Sequence, residues 1–569
     1  MRGARAALVA ASLVVAAGLF ARLGTLPLIQ PDEGRNAEVA REMKDAGAWL
    51  VPTYDGLPYL DKPALYFRLV ALSMSAFGEN EAAARLPGAV FGMGLLVLVY
   101  RFARRAYGDR ASTLAVLVVG TTPLVVAFAR IVIFDMVLAF FVTAAILAGY
   151  AAEERPGGAG TRWYALGAAC SAIAVLVKGP VGFILPPLVL LALQALERRP
   201  GAVRRLFAPL NLLVFFAIVL PWFIAVARQR PDFPYYGLVE ESLHRFTTSA
   251  FHRTAPVWYY VPVIAGVFFP WSVLLPESLV AGWNARRRWS RADRLLVVWV
   301  VVVVLFFSLS QSKLPGYVLT GVVALGLLTA RVLDRAFAQP DGVAGRLALR
   351  GAVLLAAVSA AGALALAVAA TMPGGLPALL HARSGEVERL APATGPLMWS
   401  LAAVAVVAAI GRWRRDLRVV CAAFALPPLL LLTVAFGGAR AYAEAGSSRR
   451  LAERMPSLPP ATELACLECL PSGLPFYLRR TITVVTQDGS ETTSNYVVFT
   501  LRRAAAWPDE VVRRSELGRW LSGRDHAVYL LANRGSRAAL DSLVARSEAG
   551  VAALTPDWWG ALIAPARGP

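Results

Sequence analysis

Residues 31–63 carry the side chains with which this chain could do chemistry. The carboxylates Asp32 and Glu33 open the stretch, and the pair Asp61 and Lys62 closes it. A carboxylate can act as a general base or bind a hydroxyl group, whereas lysine and arginine bind phosphate. Charged groups between apolar segments are costly to keep near lipid. We therefore interpret the stretch as part of a site at a membrane surface.

The composition is that of a polytopic membrane protein. The chain has 569 residues, of which 57% are hydrophobic and only 17% are charged, and its mean hydropathy is +0.57. The net charge of +20 could indicate nucleic-acid binding. The basic residues instead form short clusters between apolar segments, as membrane topology places them. We therefore predict a membrane protein that binds membrane lipid and no nucleic acid.

Arginine clusters recur along the chain after every second apolar segment. Because positive residues are retained on the cytoplasmic side, we expect these connections inside and the others outside. The pattern predicts thirteen spans, with residues 6–20 as a retained first helix rather than a signal peptide. The other spans are expected near residues 86–100, 111–127, 132–150, 163–177, 181–196, 207–227, 257–277, 295–309, 316–332, 351–371, 397–411 and 419–436.

The predicted fold is a mainly α polytopic membrane protein with a C-terminal soluble α/β domain. The membrane domain is expected to cover residues 1–436, and an odd number of spans places the tail, residues 437–569, outside. The external loop, residues 31–80, is expected to hold two interfacial helices. They are predicted at residues 36–46 and 64–77. In the tail, strands are predicted at residues 482–486, 496–501 and 527–531, and helices at residues 508–521 and 537–547.

The cysteines do not indicate a metal centre. Cys170 and Cys421 lie in apolar segments and are expected to be inert. Cys466 and Cys469 form a CLEC motif in the tail, but no second ligand pair accompanies them. The motif allows either a local disulfide or two free thiols.

The predicted topology brings polar side chains from five separate loops to the external face. Three of the four lysines of the chain, Lys62, Lys178 and Lys313, lie there. Such a mixture of cations and carboxylates suits a phosphate and a reacting hydroxyl, and the sequence has no phosphate-cradling glycine loop. The pattern therefore favours transfer of a sugar from a polyprenyl-phosphate donor. The candidate residues are Asp32, Glu33, Arg35, Tyr59, Asp61, Lys62, Arg130, Asp135, Lys178, Glu240, Arg245, Lys313 and Tyr317.

Several of these residues also have simpler structural explanations. Arg130 and Asp135 could form an ion pair at a helix end, and Lys178 could simply extend to the lipid interface. Four charged residues at helical spacing are expected to form the solvated face of a surface helix. They are Glu38, Arg41, Glu42 and Lys44.

Long motifs in this order resemble one enzyme family. They are PDEGRNAEVAREM, GLPYLDKPALYF, AFGENEAAARLPGA, AR-x4-D, LVKGPVGFILP, HRF and SKLPGYVL, and SGLPFYLRR in the tail. Together they resemble the GT-C lipid-linked-sugar transferases, in the bacterial aminoarabinose (lipid A) transferase-like branch related to protein O-mannosyltransferases. The resemblance covers residues 20–330 and implies thirteen spans, undecaprenyl phosphate as carrier, and a multi-pass protein of the bacterial inner membrane with its active site and tail in the periplasm.

The resemblance also implies residue roles. Asp32 matches the candidate catalytic base, with Glu33 completing its motif, and Asp135 matches a second required carboxylate. Lys62 and Arg245 match groups that bind the carrier phosphate. Further substrate-binding candidates are Arg35, Tyr59, Arg130, Lys178, Lys313 and Tyr317.

This chain departs from the family pattern at two places. It has Asp61-Lys62-Pro63-Ala64 where the family commonly has Glu-Lys-Pro-Pro, and Asn36 where the family has tyrosine. No cofactor is required by the pattern, but the resemblance allows a divalent metal, zinc or magnesium, held by Asp61 and Glu240.

The predicted function is an integral-membrane glycosyltransferase that moves a sugar from undecaprenyl phosphate to lipid A or another envelope glycan or protein. One alternative is a protein O-mannosyltransferase-like enzyme, and another is a transporter or flippase for lipid-linked sugars. A transporter would place charges at mid-membrane and often show inverted repeats, whereas these charges cluster at one face. A binding protein with a degenerate site is disfavoured by the retained Asp32, Lys62, Asp135 and Arg245.

Overall fold

The structure is a computed structural model that describes residues 10, 12–155, 157–199, 201–248, 254–284, 286–372, 391–434, 436–545 and 550–565. It is mainly helical, with a sheet in the C-terminal part. Within these residues, eight helices are long and apolar enough to cross a membrane, or up to eleven spans if each of three bent helix pairs counts as one. A multi-pass membrane protein with a C-terminal sheet region is thus confirmed.

The predicted spans beyond residue 110 each overlap a helix. The longer helices are Asp32–Ala46, Leu65–Phe77, Glu81–Tyr107, Asp109–Gly120, Pro123–Ala129, Asp135–Ala152, Gly157–Lys178, Val181–Leu196, Pro209–Gln229, Tyr236–His244 (a π-helix), Tyr260–Val267, Leu275–Asn284, Arg291–Leu309, Leu319–Ala338, Val343–Thr371, Thr394–Arg414, Leu417–Leu432 and Phe436–Ala445. Shorter helical turns are Ala202–Leu206, Phe233–Tyr235, Arg245–Thr247, Val257–Tyr259, Trp271–Leu274, Arg286–Arg288, Pro315–Val318, Ala391–Ala393 and Arg449–Glu453.

The span predicted at residues 111–127 is broken. Asp109–Gly120 and Pro123–Ala129 meet at an angle of 69°. The cause is local, because Pro123 has no N–H to continue the helix and pushes the preceding residue out of the helical region. Thr122 accordingly has an extended backbone, with φ −70° and ψ 123°.

The chain divides into two compact units. The first consists of residues 1–23, 85–221 and 242–442, and the second of residues 24–84, 222–241 and 443–569. The second unit is therefore discontinuous, and it unites the predicted external loop with residues 222–241 and the C-terminal part of the chain.

The C-terminal part contains a six-stranded sheet. Its strand order is Val511–Arg513, Thr483–Thr486, Glu463–Leu467, Val528–Asn533, Trp558–Ile563 and Val551–Thr555. The first four strands are parallel, and the last two join antiparallel. Leu467, Val485 and Leu530 pack in one core with Leu540 of the helix Arg537–Val544. The remaining tail helices are Leu474–Leu478, Ser490–Thr492, Asn495–Leu501, Arg514–Glu516 and Leu517–Ser522.

Two secondary-structure predictions for the tail were wrong. The strand predicted at residues 496–501 is the helix Asn495–Leu501, because the Ser494 side chain caps its first turn by accepting from Val497 N at 3.3 Å. The helix predicted at residues 508–521 begins as the strand Val511–Arg513, which pairs with Thr483–Thr486. Tertiary pairing overrides local propensity in this second case.

Cys466 and Cys469 are free, buried thiols, as are Cys170 and Cys421. Burial and the neighbouring Cys469 thiol raise the pKa of Cys466. The CLEC motif therefore belongs to the packed interior of the tail.

The charged residues of the helix Asp32–Ala46 do not form the solvated face that was predicted for them, so that prediction was wrong. Glu38 is fully buried, and Arg41 and Glu42 are nearly so. Arg41 donates to Glu38 at 2.6 and 2.7 Å and to Asp45 at 2.7 Å. Glu42 accepts from Thr53 Oγ1 at 2.6 Å, at the start of the hairpin Thr53–Tyr54 and Leu57–Pro58. These charged side chains therefore contact the rest of the loop instead of solvent.

The buried Glu38 predicts a pH dependence of stability. Burial raises the pKa of Glu38 to about 7, against the lowering effect of Arg41. The folded chain therefore holds this proton more tightly than the unfolded chain. The contribution is fully present below the ordinary pKa of 4.5 and is lost as the pH rises through 7. We expect the thermal midpoint of the purified protein, relative to Glu38→Gln, to rise as the pH falls from 8 to 5. A difference that is independent of pH would contradict this.

Candidate functional site

The candidate residues divide between the two units, which are described in turn. The second unit holds Asp32, Glu33, Arg35, Tyr59, Asp61, Lys62 and Glu240. The first unit holds Arg130, Asp135, Lys178, Arg245, Lys313 and Tyr317.

In the second unit, Asp32 lies at the start of the helix Asp32–Ala46. Its side chain is 54% exposed, and its Oδ1 accepts from Arg35 Nη2 at 2.5 Å. Arg35 also lies over the ring of Tyr59, 5.7 Å from its centroid. Glu33 turns the other way, and its Oε2 accepts from the backbone N–H of Ile29 at 3.0 Å. Asp32 is thus the accessible carboxylate of the motif, whereas Glu33 closes the start of the helix.

Close backbone packing fixes the start of this helix. A Cβ atom added to Gly34 would lie 2.5 Å from the Cα of Gly473. Only glycine allows this approach of the loop to the tail. Ser472 Oγ beside it donates to the carbonyl of Pro31 at 3.0 Å, and Tyr54 Oη donates to the carbonyl of Ser472 at 3.1 Å.

At the other end of the loop, both oxygens of the Asp61 carboxylate accept hydrogen bonds. Its Oδ1 accepts from Tyr236 Oη and from the backbone N–H of Tyr496, both at 2.7 Å, and its Oδ2 accepts from the N–H of Asn495 at 3.0 Å. Lys62 donates to the carbonyl of Asp61 at 2.7 Å and forms an ion pair with Glu241.

The electrostatics of this cluster follow from two carboxylates around one ammonium group. Burial raises the pKa of Asp61, and the Glu241 carboxylate raises it further, against the lowering effect of Lys62. Burial and the same two carboxylates also raise the pKa of the Tyr236 phenol, so it stays a donor. Lys62 is therefore held at a defined point by the Glu241 carboxylate and by the backbone carbonyl of Asp61.

A metal at Asp61 and Glu240 does not fit these donors. Both oxygens of Asp61 face N–H or O–H donors, and Glu240 Oε1 lies 3.7 Å from Arg503 Nη2. It is Glu241 whose carboxylate shares Tyr236 with Asp61, at 3.5 Å. Across the described ranges, no group of three or more His, Cys, Asp or Glu side chains could hold a metal ion.

In the first unit, Asp135 and Lys178 form a largely buried ion pair. Their closest atoms, Lys178 Nζ and Asp135 Oδ1, are 2.5 Å apart, and the side chains are 13% and 7% exposed. Asp135 begins the helix Asp135–Ala152, and Lys178 ends the helix Gly157–Lys178. Each charge thus lies at the helix end that its sign favours.

Aromatic rings surround the ammonium group of Lys178. Its Nζ lies 4.9 Å from the ring centroid of Phe134 and 5.1 Å from that of Tyr317. Lys178 is therefore not a lysine extended to the lipid interface, and it brings together three of the candidate residues.

Arg130 does not form the ion pair with Asp135 that was one interpretation of the motif. Its guanidinium donates to the carbonyls of Gly18 at 2.6 Å, Leu19 at 3.1 Å and Ala21 at 2.6 Å. It thereby satisfies carbonyls at and just beyond the end of the helical residues 12–18.

The other two candidates of the first unit, Lys313 and Arg245, lie outside the long helices. Lys313 Nζ donates to the carbonyl of Ser310 at 2.5 Å and is buried. Arg245 begins the turn Arg245–Thr247 and is half-buried. The next residue, Phe246, accepts from the backbone N–H of Gln311 at 2.9 Å.

Sequence reasoning did not identify three residues of the Asp61 cluster as site residues: Tyr236, Glu241 and Asn495. Tyr236 and Glu241 face the same way because they are five residues apart in the π-helix Tyr236–His244. Apolar periodicity does not reveal a π-helix. Asn495 had no signal either, since it lies 434 residues from Asp61 along the chain.

Comparison with known proteins gives one family match. Residues 61–224 match the family described as dolichyl-phosphate-mannose-protein mannosyltransferase.

Two curated relatives carry similar names. The chain is 33% identical over 326 residues to undecaprenyl phosphate-α-4-amino-4-deoxy-L-arabinose arabinosyl transferase 1 of Pseudomonas fluorescens, which covers 56% of this chain and 59% of that protein. It is 32% identical over 394 residues to the transferase of the same name from Erwinia tasmaniensis, covering 68% of this chain and 69% of that protein. The chain thus spans less than two thirds of the Pseudomonas relative's length.

The fold has a counterpart over its whole length. A crystal structure of ArnT from Cupriavidus metallidurans, bound to undecaprenyl phosphate, matches with a TM-score of 0.83 and 28% identity, covering 100% of this chain and 99% of that one.

The Asp135–Lys178 pair predicts non-additive mutations. Removal of one partner leaves a poorly solvated charge unpaired, which costs about 3–5 kcal/mol in fully buried pairs, whereas removal of both leaves none. We expect Asp135→Ala and Lys178→Ala each to lower the thermal midpoint, and the double variant to lower it by clearly less than the sum. The exposed pair Arg104 and Asp109 is the control, and its variants should add. Additive losses at Asp135 and Lys178 would show that the pair is not coupled.

Proposed function

Because the chain belongs to the family of undecaprenyl phosphate-α-4-amino-4-deoxy-L-arabinose arabinosyl transferases, we propose that it transfers a sugar from an undecaprenyl-phosphate carrier to an acceptor of the cell envelope. The observation that carries the proposal is the whole-length likeness to ArnT bound to undecaprenyl phosphate. The accessible carboxylate and the held lysine of the second unit support it, since the reaction needs a base and a cation for phosphate.

In the proposed reaction, an acceptor oxygen attacks the anomeric carbon of the donor sugar. The bond from that carbon to the acceptor oxygen forms as the bond to the carrier phosphate oxygen breaks. Lys62 stabilises the charge that grows on the leaving phosphate. Attack opposite the leaving group inverts the anomeric centre.

Asp32 takes the proton of an acceptor hydroxyl. Its exposure leaves room for the acceptor, and its bond to Arg35 fixes the orientation of the carboxylate. An acceptor phosphate needs no base, and Asp32 would then orient it. Among the other candidates, Asp135 is proposed as a second required carboxylate, and Lys178, Arg245, Lys313 and Tyr317 as substrate-binding groups.

We place the protein in the bacterial inner membrane with thirteen spans. The arginine-rich connections support this topology, because such clusters stay in the cytoplasm. The second unit, with Asp32 and Lys62, would then face the periplasm, where a lipid-linked donor can deliver sugar without a nucleotide.

The proposed acceptor is lipid A, as the aminoarabinose-transferase resemblance implies. The match of residues 61–224 to the protein mannosyltransferase family supports a second candidate, a serine or threonine of a protein. The two are separated by the product, a modified lipid in one case and a glycosylated protein in the other.

The test is turnover by the purified protein in lipid nanodiscs, with undecaprenyl-phosphate aminoarabinose as donor and lipid A or an unstructured Ser/Thr-rich polypeptide as acceptor. We expect modified lipid A by mass spectrometry. Asp32→Asn should lower kcat by about 10²–10⁴-fold for transfer to a hydroxyl group, as loss of a general base does. Lys62→Ala should lower kcat/KM by roughly 100-fold through loss of charge stabilisation.

Lys44→Ala is the matched control, because Lys44 is in the same loop but pairs with Glu79 and Asp45. It should retain wild-type turnover. Wild-type rates in both Asp32→Asn and Lys62→Ala would overturn the assignment of these residues. Absence of turnover by the wild-type protein with either acceptor would overturn the proposed function.

A further inference from the structure

Residues 493–496 of the tail contact both functional ends of the first loop. At one end, Arg35 Nη1 donates to the carbonyl oxygen of Thr493 at 2.9 Å and to its Oγ1 at 3.0 Å. The other guanidinium nitrogen of Arg35 holds Asp32. The orientation of the accessible carboxylate is thus set by an arginine that is itself anchored in the tail.

At the other end, the same four residues hold the Asp61 cluster. The N–H groups of Asn495 and Tyr496 donate to the two oxygens of Asp61. The side-chain Nδ2 of Asn495 donates to Glu241 Oε2 at 3.3 Å, and Glu241 is the partner of Lys62.

Tyr496 extends this network to the segment that carries Glu241. Its Oη donates to Asp232 at 2.8 Å, and its ring packs edge-on against Tyr236 with centroids 5.0 Å apart. Tyr236 in turn donates to Asp61. One short segment therefore contacts the first loop at both ends and also residues 222–241.

The backbone of this segment is held in an uncommon conformation. Thr493 has φ +53°, a left-handed value that costs a β-branched residue free energy. The next residue, Ser494, caps the helix Asn495–Leu501. The turn directs the carbonyl of Thr493 at Arg35 and the following N–H groups at Asp61, so a strained residue lies where the two sets of contacts separate.

We propose that residues 493–496 are the positioning element of this site, and that Asn495 sets the place of Lys62 by holding Glu241. The proposal rests on the proposed function, in which Lys62 binds the carrier phosphate. It assigns a role in the site to the tail. Asn495 is a positioning residue and acts on the donor through Glu241 and Lys62.

Asn495 acts on Glu241 through its charge distribution as well as through its position. The carboxylates of Asp61 and Glu241 lie close enough to repel each other, so donors other than Lys62 also stabilise Glu241 in its place. The amide of Asn495 provides a donor without adding charge. A carboxylate at position 495 would repel Glu241, which the Asn495 side chain contacts, and would thereby displace Lys62. Removal of the amide would take one of its donors from Glu241.

The test compares Asn495→Asp, Asn495→Ala, Glu241→Gln and the double variant Asn495→Asp/Glu241→Gln. The double variant exchanges amide and carboxylate, so it keeps the hydrogen bond and the net charge of the wild-type pair. Gln487→Ala is the control, because Gln487 also donates an amide to a tail carboxylate, Glu468, at 3.3 Å but is exposed. Donor KM and kcat are measured in nanodiscs with undecaprenyl-phosphate aminoarabinose, together with thermal midpoints.

We expect Asn495→Asp to raise the donor KM by roughly tenfold or more, the scale of a lost hydrogen bond to a charged group, with a smaller change in kcat. Asn495→Ala should raise it less. The double variant should return the donor KM to within a few-fold of wild type. If Asn495→Asp acted by unfolding the protein, the second substitution would not restore the donor KM. Gln487→Ala should match wild type.

Two outcomes overturn the proposal while the wild-type protein is active. One is a wild-type donor KM in Asn495→Asp. The other is a double variant no better than Asn495→Asp, with a lowered thermal midpoint in both, which would reduce Asn495 to a folding role. An inactive wild-type protein would instead count against the proposed function, and the two failures are thereby distinct.

Discussion

The carboxylate of Asp61 is the constraint on which the second unit depends. A buried carboxylate must be satisfied by donors, and its donors come from Tyr236, Asn495 and Tyr496. They belong to two chain segments, residues 222–241 and the tail, which are far from Asp61 and from each other in sequence. Satisfying one charge therefore ties the first loop, residues 222–241 and the tail into a single body, and Lys62 follows because it is the next residue.

The ion pair of Lys62 with Glu241 fixes the position of the ammonium group more than it stabilises the fold. A largely buried pair gains little over apolar packing, because desolvation offsets most of the attraction. What it provides is an ammonium group in a defined position before any phosphate arrives. In the proposed function, the carrier phosphate has to share Lys62 with Glu241 or displace Glu241, so the strength of that pair sets how tightly Lys62 binds the donor.

Much of the fold could be predicted because long apolar segments and the placement of arginine between them identify membrane spans. The long helices, the shorter apolar helix Leu65–Phe77 and three tail elements follow from local pattern. The failures have a common cause. Charges at helical spacing, such as Glu38 and Arg41, look the same whether they meet water or a neighbouring loop. Arg130 likewise could be assigned to a nearby carboxylate, but it binds carbonyls more than a hundred residues away.

The sequence by itself determined the protein class, the family resemblance and the first-loop residues Asp32, Asp61 and Lys62, since these are set by residue type and short-range order. Only the tertiary structure decided their partners. Glu241 rather than Glu240 joins Asp61, because a π-helix shifts the register by one residue. Asn495 joins the same cluster from 434 residues away. Partners of this kind depend on the folded path of the chain, because a hydrogen bond acts over about 3 Å whatever the distance in sequence.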